Sequence, residues 1–360
     1  MKKIKLIHLI TSLNFGGAEI MLLNLVRFLD KEKFEIKIGS LIEDGPLKKK
    51  FENLKIEVKV FKKKSKLGLE LIPQLKKYFL KERPQIVHTH LFASDFWGKI
   101  AAWQAKVPFI VTTEHNLNFN EGKIKHLLKR ITYRFTSKVI AVSQTVADYL
   151  KEKYRVSPQK IKVIYNGIDL AFWQREKKKL KREEIIIGNV GRLEKQKGQR
   201  YLLLAFKEVL QEFPKARLQI IGQGREKENL FNLAQDLEIK ERVEFISPSL
   251  KIKEIMEGFD LFVLSSLWEG FGLSLLEAQA LGIPVITSDI GGCNEFIYHR
   301  VNGLLFPKAN PLALASEIIW LLKHPQEGEK IVREGLERIK KFDIKKIVKE
   351  YEELYEDIVS

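Results

Sequence analysis

The chain has 360 residues, 45% of them apolar, which is enough to bury two ordinary cores and excludes global disorder. A single cysteine, Cys293, excludes an intramolecular disulfide framework and fits a reducing compartment. The formal charge is +17, and residues 1–170, with 33 Lys/Arg against 16 Asp/Glu, carry all of it; that half either faces an anionic partner or wears a lysine-rich solvated surface.

The first ten residues, MKKIKLIHLI, start basic like a signal peptide. Their apolar run is short and polar residues follow from Asn14, so they read as a first buried strand. No apolar stretch reaches the roughly 18 residues of a membrane-spanning helix, so none is expected. Beyond it, KLIHLI, FEIKIGSL, IEVKVF, IVHTHL, FIVTTE and KVIAVS read as strands. Helical patterns such as Ala18–Asp30 lie between them. The second half repeats the alternation with EIIIGNVG, RLQIIGQG, VEFIS, DLFVLSS, IPVITSD and GLLF. Strands alternating with helices predict parallel sheets covered on both faces, here two doubly wound α/β domains. Residues 1–169 form the first and 185–340 the second. A charged, aperiodic seam at 170–184 separates them, and an amphipathic helix over 341–360 ends the chain.

Ligands of open parallel sheets bind beyond the carboxyl ends of the strands, and several glycine turns fall there. Asn14-Phe15-Gly16-Gly17 follows the first strand and opens a helix; it fits an anion site or a tight turn alone. In Gly191-Arg192-Leu193-Glu194-Lys195-Gln196-Lys197-Gly198, Arg192 and Lys197 fit one diphosphate or a basic solvated loop. Gly222-Gln223-Gly224 is a weak motif, and a plain turn explains it better. WEGFGLSLLEA, residues 268–278, runs from a strand end into a helix. The backbone N–H groups of Gly272, Leu273 and Ser274 there suit a phosphate. Glu277 suits the helix dipole, but Glu269 beside Trp268 is left unexplained, and two carboxylates should repel a phosphate.

Glu269 and Glu277, spaced E-x7-E within EGFGLSLLEA, resemble the signature of the retaining, nucleotide-sugar-dependent glycosyltransferases of family 4. FGGAE, IVHTH, TTEH, AVS, NGID, GRLxxxKG, the GxG turn and GGxxEFI with NGLLF agree in order over nearly the whole chain. The resemblance implies the GT-B fold, with two Rossmann-like domains facing a central cleft and the C-terminal helix returning to the first. It implies that Arg192 and Lys197 bind and stabilise the leaving diphosphate. Glu277 would accept ribose hydroxyls, and Glu269 would face the donor sugar. Gly272, Leu273 and Ser274 would contact sugar and phosphates, with Gly222 and Gly224 beside the donor. Gly16 and Gly17 would close over the diphosphate from the first domain, and His115 would lie near the reacting sugar. Tyr165 replaces the proline usual before NGID, FISPS lacks a common glycine, and Cys293-Asn294 only partly meets the usual loop pattern.

The reaction this implies is glycosyl transfer from a UDP-, GDP- or ADP-sugar to a hydroxyl of a glycan or lipid-linked acceptor in envelope polysaccharide or glycolipid synthesis. No Asp-x-Asp occurs, so no metal or other cofactor is expected. Segments 61–82 and 123–136 mix lysines with apolar residues and are candidates for peripheral contact with an anionic inner membrane face; a cytoplasmic location is expected. The alternatives are an epimerase or soluble-acceptor synthase of the same fold, a sugar-binding protein, or a nucleic-acid binder. The last lacks a reading motif, and no nucleic-acid partner is expected.

Overall fold

Seven strands, β1 (Ile4–Ile10), β2 (Phe34–Ser40), β3 (Glu57–Val60), β4 (Ile86–His90), β5 (Phe109–Glu114), β6 (Lys138–Ala141) and β7 (Ile161–Val163), pair in the order 3-2-1-4-5-6-7. Six more, β8 (Ile186–Val190), β9 (Arg217–Ile221), β10 (Val243–Ile246), β11 (Leu261–Leu264), β12 (Val285–Ser288) and β13 (Leu304–Phe306), pair in the order 10-9-8-11-12-13. Every pairing is parallel. The structure is a computed structural model and describes residues 3–63, 68–119, 122–175, 184–249 and 251–360. Lysines 64 and 66 of the first membrane candidate, and residues 176–183 of the charged seam, lie outside them.

The chain divides into two units, Met1–Gly167 with Ile344–Ser360, and Ile168–Asp343. Each sheet is apolar on both faces, as parallel sheets covered by helices must be. In the first unit Ile7, Leu9, Val87 and Ile110 join Leu71, Leu75 and Phe79 in one core. In the second, Ile187, Leu218, Ile220, Val263 and Ile286 pack against Leu202, Phe206 and Ile318. The strand β7 is missing from the expected elements. It has three residues, none fully buried, which is too short to show a period. The last helix, Ile344–Val359, buries Ile344, Ile347, Val348, Tyr351, Leu354 and Tyr355, one helical stripe. It packs in the first unit, where Tyr355 is fully buried against Phe34 and Glu352 Oε1 accepts the Asp30 backbone N–H at 2.8 Å.

In the helix Leu71–Glu82 the apolar residues Leu71, Leu75, Tyr78 and Phe79 are buried in the unit's own core, so this stripe serves the fold. Pro73 sits in its first turn, where the missing N–H has no intrahelical partner to lose. No helix among the described residues is long and apolar enough to cross a membrane.

Candidate donor site

In each sheet the strand order reverses beside its first strand, at β1/β4 and at β8/β11. The loops leaving the carboxyl ends of those strands diverge to opposite faces and open a crevice there. In the second unit the two loops are Gly191–Gly198 and 265–272.

Backbone and side-chain hydrogen bonds hold the loops together. The Leu267 N–H donates to the Gln196 carbonyl at 2.7 Å, and Gln196 Nε2 donates to the Trp268 carbonyl at 2.9 Å. Ser265 Oγ donates to the Lys197 carbonyl at 3.1 Å. Across this seam the Lys197 ammonium pairs with the Glu269 carboxylate. Glu269 is 5% exposed and also accepts from Ser266 Oγ at 2.6 Å. A buried carboxylate needs a partner of this kind, so Glu269 fixes where the Lys197 ammonium stands. Arg192 is exposed, its guanidinium donating to Gln196 Oε1 at 3.2 Å. It therefore shares Gln196 with the seam.

The helix Leu273–Ala280 starts at Gly272, whose φ of +80° is left-handed, a conformation that costs glycine little and other residues more. The N–H groups of Gly272, Leu273 and Ser274 are the free amides of its first turn. Glu277 lies one turn further on and is half-buried. Burial pushes its pKa up to about 7, and its carboxylate makes no hydrogen bond or ion pair with any described residue. The two glutamates thus differ: Glu269 is compensated by the protein, and Glu277 is left open.

Gly222 and Gly224 have a packing reason. A Cβ on Gly222 would collide with the Gly191 carbonyl, and one on Gly224 with that of Leu193. The Leu193 N–H donates to the Gln223 carbonyl between them at 2.9 Å. Both glycines seat the basic loop on the turn after β9.

In the first unit Gly16 and Gly17 begin the helix Gly17–Phe28. The Glu19 carboxylate folds back over Gly16, where a Cβ would meet Glu19 Oε2. The chain's own anion therefore faces the turn expected to hold a phosphate. Its signal in the sequence is an acid three residues after the cap, a capping position. His115 follows β5 and is half-buried. Burial lowers its pKa to about 4, with Lys129 adding to the shift. His90 Nδ1 lies 3.1 Å from His115 Nε2, and His8 Nδ1 lies 3.0 Å from His90 Nε2. Neither His8 nor His90 was singled out from sequence. The nitrogens of His8, His88 and His90 lie close enough to face one ion. However, His88 Nδ1 meets Tyr355 Oη at 2.6 Å and His88 Nε2 meets Thr113 Oγ1 at 2.7 Å, so both of its nitrogens are engaged.

Residues 15–172 match the family model Glycosyltransferase Family 4, and residues 172–338 match Glycosyl transferases group 1. An Escherichia coli UDP-Gal:alpha-D-GlcNAc-diphosphoundecaprenol alpha-1,3-galactosyltransferase is 31% identical over 84% of each chain. The N-acetyl-alpha-D-glucosaminyl L-malate synthase of Bacillus anthracis is 30% identical over 81% of this chain and 79% of its own. Anabaena Alr3699/HepE, solved in complex with UDP and glucose, superposes with a TM-score of 0.88 at 23% identity, over 98% of this chain and 100% of that one. Matched along both units and at this identity, the chain belongs to glycosyltransferase family 4 and is a GT-B hexosyltransferase that uses nucleotide sugars.

Proposed function

We propose that this enzyme is a retaining, metal-independent transferase that moves a hexose from a nucleotide diphosphate sugar to a hydroxyl of a glycan or lipid-linked acceptor of the cell envelope. The carrying observation is the Lys197–Glu269 pair at the β8/β11 crevice, with Glu277 left open in the helix that follows the Glu269 loop. A departing diphosphate gathers negative charge in the transition state, and a preoriented ammonium stabilises it there. Lys197 supplies that group and Arg192 a second. Glu277 offers a carboxylate to hydroxyls. The donor reading leans to uridine diphosphate sugars, because the Escherichia coli relative is named for UDP-Gal and the Anabaena structures hold UDP.

Retention through a covalent intermediate needs a free carboxylate nucleophile. Glu269 is tied to Lys197 and Ser266 and makes a poor one. The reading that follows is attack from the face the diphosphate leaves: the acceptor oxygen bonds to the anomeric carbon, the carbon–phosphate oxygen bond breaks, and the acceptor proton passes to the leaving phosphate. A thermal-shift panel of UDP-, GDP- and ADP-hexoses identifies the donor. Product NMR then shows the donor's anomeric configuration kept, and transfer in excess EDTA keeps most of its rate. An inverted product or loss of rate in EDTA overturns the proposal.

The acceptor is read as membrane-borne from the helix Lys123–Thr132. It leaves Ile124, Leu127 and Ile131 exposed at 77%, 56% and 43%, on one stripe at helical spacing. Lys123, Lys125 and Arg130 flank them. An apolar edge rimmed by cations suits an anionic interface. Vesicles containing phosphatidylglycerol are expected to sediment the enzyme at low salt. The Ile124→Ser/Leu127→Ser variant loses at least about tenfold of that binding, since each buried apolar side chain contributes roughly 1.5–3 kcal/mol. Unchanged sedimentation would remove this helix as the contact.

A further inference from the structure

β1 and β4 pair in register, with His8 opposite His88 and His90 one pleat further along. His8 is fully buried and His90 is 2% exposed, and with half-buried His115 they form one hydrogen-bonded row, His8 Nδ1 to His90 Nε2 and His90 Nδ1 to His115 Nε2. Burial holds the ring of His8 down to a pKa of about 3 and that of His90 well below its ordinary value, so the row is neutral. A neutral imidazole has one N–H and one lone pair. Three of them in a row must all point the same way, which leaves only two arrangements. His88 does not branch the row, because Tyr355 and Thr113 take both its nitrogens.

The end of the row selects between the two. His8 Nε2 is buried and has no hydrogen-bond partner among the described residues. An orphaned buried N–H is rarer and costlier than an orphaned lone pair. The hydrogen of His8 therefore sits on Nδ1 and is donated to His90 Nε2. His90 in turn carries its hydrogen on Nδ1 and donates to His115 Nε2. We propose that His8 and His90 act as positioning residues that set His115 as the neutral Nδ1–H tautomer, making it a hydrogen-bond donor to a donor-sugar or phosphate oxygen and not a general base. This rests on the family reading that His115 adjoins the reacting sugar.

Side-chain 15N–1H correlation spectra of the full-length enzyme, labelled at histidine, test the tautomers directly. The expected result is Nδ1–H at His8, His90 and His115, opposite to the Nε2–H preference of a free histidine side chain in water. Nε2–H or an imidazolium at His115 overturns the proposal. Kinetics test the consequence. His8→Leu removes the donor to His90 and moves the orphaned lone pair to His90 Nε2, which weakens the bias without reversing it and lowers kcat a few-fold, whereas His8→Asp makes His90 donate from Nε2, reverses the row and lowers kcat about tenfold or more with donor KM little changed. Equal losses in the two variants would make position 8 merely structural and overturn the proposal. If His8→Asp fails to fold, the spectra of wild type and of His8→Leu decide. Expected tautomers together with an unaffected His115→Ala enzyme would instead refute the placement of His115 beside the sugar.

Discussion

Replacing Lys197 by Met lowers kcat about 10²–10³-fold, the usual cost of removing one preoriented group from developing charge. It also lowers stability. Glu269 is 5% exposed and would keep only Ser266 as a partner. Breaking a buried pair from one side costs roughly 3 kcal/mol, several degrees in melting temperature for a unit of this size. The two losses have different causes and separate in a double-mutant cycle. Glu269→Gln keeps a hydrogen-bonding group beside Ser266 and removes the charge. In Lys197→Met/Glu269→Gln no carboxylate is stranded, so the melting temperature returns most of the way to wild type. The ammonium is still missing, so kcat does not return. Steady-state kinetics and thermal melts of the four proteins check this. If the double variant regains activity, Lys197 serves only to neutralise Glu269, and the leaving group is stabilised elsewhere.

The same pair shows where sequence reading stops. The strands and the glycine turns were legible because parallel strands are continuously apolar and turns need particular residues. E-x7-E marked both glutamates as special but could not tell them apart. Their difference comes from partners 72 residues away in the chain: Lys197 reaches Glu269, and nothing described reaches Glu277. The histidine row was equally hidden. His8, His90 and His115 lie on β1, on β4 and after β5, and only the reversal of strand order brings the first two side by side. Gly222 and Gly224 show a plainer case: the turn that their weak pattern favours has its packing reason in the Gly191 and Leu193 carbonyls. The burial of the Leu71–Glu82 stripe was hidden for a related reason: composition reports that a helix is amphipathic, not which side its apolar face meets.

Glu277 is expected to give donor binding and protein stability opposite pH dependences in one window. Its folded pKa of about 7, raised by burial from the 4.5 of an ordinary glutamate, means the folded enzyme holds the proton more tightly than the unfolded chain. That contribution to stability is full below about pH 4.5 and is lost as pH rises to about 7. Donor binding runs the other way. A carboxylate accepts hydroxyls in charge-assisted hydrogen bonds, and its protonated form is the weaker acceptor. Donor affinity therefore rises up to about pH 7 and levels off above it, with a slope approaching tenfold per unit on the acid side. The donor's diphosphate stays fully ionised across this window and contributes no slope. Calorimetric titration with the cognate donor between pH 5.5 and 8.5, beside melts of the free enzyme, checks both signs. In Glu277→Gln both slopes flatten, and affinity at pH 8 falls roughly 10–100-fold, as for loss of a hydrogen bond to a charged group. A Glu277→Gln enzyme with the wild-type slope would show that some other group titrates, and that Glu277 does not receive the hydroxyls.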